Sequence, residues 1–402
     1  MRVLVLHSEL GTLRGGGENF TRNLFASFVS LGHEVSAAFT ADPFGRYPFQ
    51  VPTGITAIPI RGWWSRSFGH GTLSAVGRRL TVRSLLHEKW EYIQNGLSWR
   101  TVYWYNRRFQ QRILSQIDRA TWNVDAVYVH SNPFLASEVA RIRPTVLRLP
   151  GPVTSEVLPV LRNIHAVCAN GDALTCIRSF MGDAIELPVG LDHRLFAPGS
   201  SSYRERLGWS SEHKVVGYVG RLSRIKGVDL LAEGFRELSK RRPDARLLFV
   251  GSGEEEPNLR AILKTEVASG LVHFSGDVPH EELPHWYRAM DVLVMPSRYE
   301  NYSNAILEAL ACAVPFVGSD IGGNRALYDA GVGWLFEQNS PTSLASALLD
   351  VLAESEKRKA LGRKGRSYVE GRYSWSATAQ RLEDILNGHL KTGREVLPGR
   401  SA

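Results

Sequence analysis

The sequence predicts an α/β protein of two units, each a parallel sheet with crossover helices. The first observation is length: 402 residues exceed what one ordinary core organises, so two domains of roughly 150 to 200 residues are the natural expectation. The second is a repeated alternation of short strand-like runs with helical patterns. The third is a segment rich in turn formers, Ala-Pro-Gly-Ser-Ser-Ser-Tyr at 197–203, which interrupts that alternation near the middle of the chain.

Taken in order, residues 2–7 read as a first strand, 18–31 as an amphipathic helix and 34–39 as a second strand. Runs at 55–60, 126–130, 145–149 and 166–169 continue the series, which closes near Phe196. After a linker expected at 197–213, strands follow at 214–219, 246–250, 272–275, 291–295 and 315–318. The domains are therefore expected at 1–196 and 214–373, with a last helix at 374–390 returning to pack on the first. In such sheets ligands lie beyond the carboxyl ends of the strands, so a cleft between two facing units is the expected site.

Composition narrows the class. With 43% hydrophobic and 22% charged residues the chain is neither disordered nor fibrous. The opening Met-Arg-Val-Leu-Val-Leu-His reads as a strand rather than a signal peptide, and no apolar run approaches the roughly 20 residues of a membrane span, so a cytoplasmic protein is expected. Three cysteines, Cys168, Cys176 and Cys312, are odd in number and lack a Cys-x-x-Cys pair, which suggests reduced core thiols. The net charge of +8 is concentrated: ten basic against two acidic residues fall at 61–112, interleaved with ten aromatics from Trp63 to Phe109. That pattern suits an anionic membrane surface, which suggests peripheral association at the inner face of the membrane. It equally suits an ordinary helix with Trp99, Tyr103, Phe109 and Ile113 as its buried stripe. No recognised nucleic-acid module surrounds it.

Two segments carry chemistry. Gly220-Arg-Leu-Ser-Arg-Ile-Lys-Gly227 lies where a strand turns into a helix, and backbone amides with two or three cations there suit a diphosphate. A solvated basic turn is the alternative reading. Pro296-Ser-Arg-Tyr-Glu-Asn-Tyr-Ser-Asn-Ala-Ile-Leu-Glu-Ala-Leu310 places Glu300 on a loop and Glu308 inside a helix, with Ser303 as its N-cap. Glu308 sits among Ile306, Leu307, Ala309 and Leu310, and a carboxylate in so apolar a segment calls for a dedicated partner.

These segments, with Phe274-Ser-Gly-Asp-Val-Pro279, the pair Gly322-Gly323, the glycine loop Gly15-Gly16-Gly17 and Leu-Gly-His-Glu-Val at 31–35, resemble the retaining glycosyltransferases of family 4, the glycosyl transferases group 1. The resemblance implies the GT-B fold, two Rossmann-like domains facing each other across a cleft. It implies transfer of a hexose-type sugar from a UDP- or GDP-linked donor to a glycan, lipid-linked or other acceptor in cell-envelope or exopolysaccharide synthesis.

Residue by residue, Gly220, Arg221 and Lys226 would hold the donor diphosphate and Glu300 the hydroxyls of the transferred sugar. Glu308 would take the ribose diol, Ser303 and Asn304 would give amides to the phosphate, and Asp277 and Val278 would lie near the base. Gly16 and Gly17 would let the backbone approach phosphate or acceptor. No cofactor beyond the nucleotide sugar is implied, and the chain has no Asp-x-Asp motif, so no metal is expected.

The chain departs from the pattern twice. Pro150 stands where many members carry a histidine, leaving His130 to substitute unless it is structural, and Asn324-Arg325-Ala326 follows Gly323 where an acidic residue is frequent. Gly15-Gly16-Gly17 and Gly251-Ser-Gly253 lack the Gly-x-Gly-x-x-Gly spacing of dinucleotide enzymes. A sugar-nucleotide-binding protein without transferase activity and a sugar-nucleotide epimerase are the alternatives.

Overall fold

The structure is a computed structural model that describes residues 1–11, 16–41, 44, 46–48, 50–61, 109–115, 122–150, 153, 155–300 and 303–392. The chain forms two compact units, one of Met1–Gly190 with Trp375–Ala402, the other Leu191–Ser374.

In the first unit seven parallel strands run in the order β3-β2-β1-β4-β5-β6-β7. They are β1 (Arg2–Leu6), β2 (Glu34–Ala41), β3 (Ile55–Arg61), β4 (Ala126–His130), β5 (Thr145–Leu149), β6 (Ala166–Ala169) and β7 (Ile185–Glu186). Every residue of β4, β5 and β6 is buried, which is what a sheet covered on both faces demands of its central strands. The order reverses between β1 and β4, the position where ligands enter open parallel sheets. The helix Trp375–Thr392 packs here on the helix Gly16–Ser30: Trp375 meets the ring of Phe20 edge-on at 5.6 Å, and Glu383 reaches His33 at 3.3 Å.

The second unit has six parallel strands in the order β10-β9-β8-β11-β12-β13. These are β8 (Lys214–Val219), β9 (Ala245–Val250), β10 (Val272–Phe274), β11 (Val292–Met295), β12 (Phe316–Ser319) and β13 (Gly333–Phe336). Segment 197–213, expected as a linker, is built into this unit. Arg204 pairs with Asp291 at 2.8 Å, Ser201 donates to the carbonyl of His285 at 2.7 Å, and Trp209 is buried. Cys168 and Cys312 are buried as free thiols, whereas Cys176 is only half-buried.

Of the stretch at 61–112, residues 62–108 lie outside the described residues. The helical segment that follows puts Phe109 and Ile113 into the core of the first unit, so these two aromatic-stripe positions are core residues.

Candidate functional site

In the second unit the two charged motifs meet at the carboxyl ends of β8 and β11, strands that pair directly through Val216 and Val292. After β8 the chain leaves through Gly220 and a single 3-10 turn, Arg224–Lys226, before the helix Val228–Arg241 starts. Gly227 takes φ of +66°, and a Cβ there would stand 1.9 Å from the carbonyl oxygen of Pro296, so only glycine lets the two loops touch. Arg298 then fastens them. Its amide donates to the carbonyl of Ile225 at 2.9 Å, and its guanidinium grips both oxygens of Asp229 at 2.7 and 2.8 Å. Burial alone would raise the Asp229 carboxyl, but the Arg298 fork outweighs it and holds the group below the ordinary carboxylate range. The result is that Lys226 Nζ donates to Glu300 Oε2 at 2.5 Å, joining residues 74 apart in sequence. Arg221 is exposed beside this pair in sequence, its carbonyl accepting from the Tyr218 hydroxyl at 2.8 Å.

Ser303 caps the helix Asn304–Ala311, its hydroxyl accepting from the Ile306 amide at 3.3 Å. Asn304 opens the first turn, half-buried. Glu308 has two partners that sequence reasoning missed: the Tyr287 hydroxyl donates to Oε2 at 2.7 Å, and His280 Nε2 lies 3.3 Å from Oε1. The hydrogen bond to Glu308 raises the His280 pKa; burial, then the Glu308 charge, pushes the Tyr287 phenol well up. Asp277 accepts from the Ser252 hydroxyl at 2.7 Å, and Val278 beside it is half-buried. Asn324, standing where an acidic residue is frequent, is fully buried and donates through Nδ2 to the Ser319 carbonyl at 2.9 Å. Ser319 in turn donates to the Ser297 carbonyl at 2.6 Å, so the side chain braces the end of β12 against the loop after β11.

In the first unit the polar residues at the strand ends are buried. The His7 and His130 rings stack at 4.2 Å; Thr21 Oγ1 is 3.0 Å from His7 Nδ1 and 3.4 Å from His130 Nδ1, and the Tyr128 hydroxyl is 3.2 Å from the latter. A Cβ on Gly17 would come within 2.8 Å of His130 Nε2, so the start of the helix Gly16–Ser30 lies directly on that ring; Gly16 is exposed. Burial, then His7 and Arg148, drive the His130 pKa well below the ordinary histidine value, which leaves the ring neutral at neutral pH. Arg148 on β5 is only 5% exposed, its guanidinium 3.5 Å above the ring of Phe20. Pro150, just past β5, is exposed.

Residues 200–368 match the sequence profile of the glycosyl transferases group 1, a span that contains every second-unit residue named above. The chain is 33% identical over 211 residues to the GDP-mannose-dependent monoacylated alpha-(1-6)-phosphatidylinositol monomannoside mannosyltransferase of Corynebacterium glutamicum, covering 50% of this chain and 55% of that one. It is 35% identical over 227 residues to the D-inositol 3-phosphate glycosyltransferase of Corynebacterium jeikeium, covering 53% and 52%. The chain thus spans about half the length of the curated relatives it matches. Among solved structures, sucrose-phosphate synthase from Thermosynechococcus elongatus superposes with a TM-score of 0.76 at 18% identity over 97% of this chain and 99% of that one. Anabaena Alr3699/HepE in complex with UDP and glucose superposes at 0.70, also 18% identical, over 96% and 99%. These likenesses establish the fold: two parallel-sheet, Rossmann-like units of the GT-B kind.

Proposed function

We propose that the chain is a glycosyltransferase that moves a hexose-type sugar from a nucleotide diphosphate sugar to a hydroxyl of a glycan or lipid-linked acceptor in cell-envelope glycoconjugate synthesis, with retention and without a metal. The observation that carries the reading is the contact of Lys226 with Glu300, which unites a cationic glycine loop and a capped helix start at the ends of two paired strands. Departure of a nucleoside diphosphate builds negative charge. Arg221, Lys226 and the amides after Ser303 offer fixed positive charge and dipoles to it, the kind of preorganised stabilisation that dominates many enzymes. Glu300 holds Lys226 in place until the donor arrives and then offers its oxygens to sugar hydroxyls. Glu308, held by Tyr287 and His280, takes the ribose diol. UDP and GDP are the nucleotides we favour: one relative's name is GDP-mannose-dependent, and one structural neighbour holds UDP.

The acceptor half is the first unit, with His130 beside the sugar and the basic stretch at 61–112 resting on an anionic membrane surface. Among the described residues no helix is long and apolar enough to cross a membrane.

Thermal-shift measurements with UDP, GDP and ADP, followed by transfer and hydrolysis assays with the corresponding nucleotide sugars, test the reading. A nucleotide at a hundred times its Kd stabilises the folded chain by about 2.7 kcal/mol. Selective stabilisation by one nucleotide, with transfer that survives EDTA, is the expected result. Indifference to all three nucleotides would sink the donor site, and tight binding with neither transfer nor hydrolysis would leave a binding protein in its place.

A further inference from the structure

Residues 296–300, which follow β11 and carry Glu300, form neither helix nor strand, so no ladder of backbone bonds fixes them. A carboxylate on such a segment keeps one position only where side chains tie the backbone close by, because an untied loop gains conformational entropy by moving. Arg298, two residues before Glu300, is that tie. Its amide donates to the Ile225 carbonyl at 2.9 Å and its Nη1 to the Arg224 carbonyl at 2.5 Å. Its guanidinium takes both oxygens of Asp229 at 2.7 and 2.8 Å, and its own carbonyl accepts from Gln338 Nε2 at 2.9 Å. Every bond that Arg298 donates therefore lands on residues 224–229, the turn and helix start that also carry Lys226.

The charge of Arg298 is answered. The hydrogen bond from Asp229 raises its pKa, and Glu255 and Glu233 act in the same direction. A guanidinium gripped by one carboxylate and faced by two more is a poor ligand for a further anion, so Arg298 is not another diphosphate cation beside Arg221 and Lys226. What the fork supplies is geometry: two parallel N–H bonds to one carboxylate fix distance and plane together, which an ammonium cannot reproduce. The dipole of the helix Val228–Arg241 accounts for an acidic residue in its first turn, but not for the arginine that answers it.

We infer that Arg298, held by Asp229, is a positioning residue for transfer. It locks the Glu300 loop to the Lys226 turn, so that the carboxylate facing the sugar and the cation facing the diphosphate are set in one arrangement before the donor arrives. The inference rests on the proposed function, which gives Glu300 and Lys226 their roles; the fork itself does not.

The test measures donor turnover, by transfer or hydrolysis, and binding of free UDP and GDP. It uses the full chain and its Arg298→Lys, Asp229→Asn and Glu300→Gln variants. Arg298→Lys keeps the charge and the backbone bonds but loses the fork, and Asp229→Asn breaks the same fork from the other segment. Each is expected to lower kcat by about ten- to a hundredfold, the scale that a misplacement of about 1 Å produces. Affinity for the free nucleotide, which lacks the sugar that Glu300 faces, is expected to change by less than about threefold. In the Glu300→Gln background Arg298→Lys should lower kcat by less than about twofold further, because the loop then has no carboxylate to place, while the losses in melting temperature add. A purely structural ion pair behaves differently: it lowers the melting temperature and leaves kcat unchanged, or lowers kcat by the same factor with and without Glu300. Either result would overturn the inference, as would nucleotide affinity falling in step with kcat, which is the behaviour of a diphosphate ligand. If Arg298→Lys fails to fold, Asp229→Asn, which keeps an acceptor at the helix start, decides alone. An unaltered chain that neither transfers nor hydrolyses any donor sinks the proposed function and the inference together. An active unaltered chain with full kcat in both fork variants overturns the inference alone.

Discussion

The two units present opposite electrostatic solutions at the ends of their sheets. In the second, charges are half-buried and answered: Lys226 by Glu300, Arg298 by Asp229, Glu308 by Tyr287 and His280. In the first, the polar groups lie deeper, the His7 and His130 rings are stacked, burial keeps His130 neutral, and Arg148 has no answering charge among the described residues. A site whose charges already pair holds its loops in shape before a ligand comes, and a ligand must compete for those pairs. A site with an unanswered cation is less stable empty and gains more when filled.

The largest effect that would break this contrast lies in the second unit. Lys226→Ala or Arg221→Ala is expected to cost on the order of 2 to 4 kcal/mol in transition-state stabilisation, read as kcat/KM on the true substrates, with the melting temperature little changed. Because Lys226 and Glu300 act on each other, the double variant Lys226→Ala with Glu300→Gln should lose clearly less than the sum of the two single changes. Strict additivity would mean the contact has no functional weight.

A smaller effect is expected around Glu308. Glu308→Gln should weaken free nucleotide and nucleotide sugar alike, since its amide nitrogen opposes a donor where an oxygen accepted one. Tyr287→Phe removes one donor and is expected to weaken nucleotide binding by about 1 kcal/mol. Calorimetric titration with the preferred nucleotide measures both, and unaltered affinity in both would show that Glu308 serves only the packing of its helix.

The smallest effect sharpens the comparison by its sign. His280, raised by its hydrogen bond to Glu308, binds its proton more tightly folded than unfolded. Its contribution to stability is therefore complete below the ordinary histidine value near 6.5 and disappears as pH rises through the raised value. His130 is depressed by burial, so the unfolded chain takes up a proton below about 6.5 that the folded first unit refuses, and stability falls as pH falls. In melting curves between about pH 5 and 8, His280→Gln should be most destabilising at the acid end. His130→Gln should be least destabilising there. Parallel pH profiles for the two variants would remove the electrostatic contrast between the units.

What the sequence determined by itself was local. The Ser303 cap needs only an amide three residues on, the strands of both sheets need only short apolar runs between turn formers, and the glycine of Lys226-Gly227 announces a tight turn. The charged residues of the second-unit site were legible for the same reason, because each lies in a short motif. What only the tertiary structure decided was pairing and burial. Glu308 demanded a partner in the sequence, yet the partners stand on segments 21 and 28 residues away. Arg298 and Asp229 are separated by 69 residues, and their fork exists because β8 and β11 are neighbours in the sheet. Edge strands as short as β7, two residues long, carry no periodicity to read. Arg148 looks in sequence like any polar residue in a strand. Its isolation from counter-charge among the described residues arises only when β5 is buried within the first unit, because desolvation is a property of everything packed around a group and not of its neighbours along the chain.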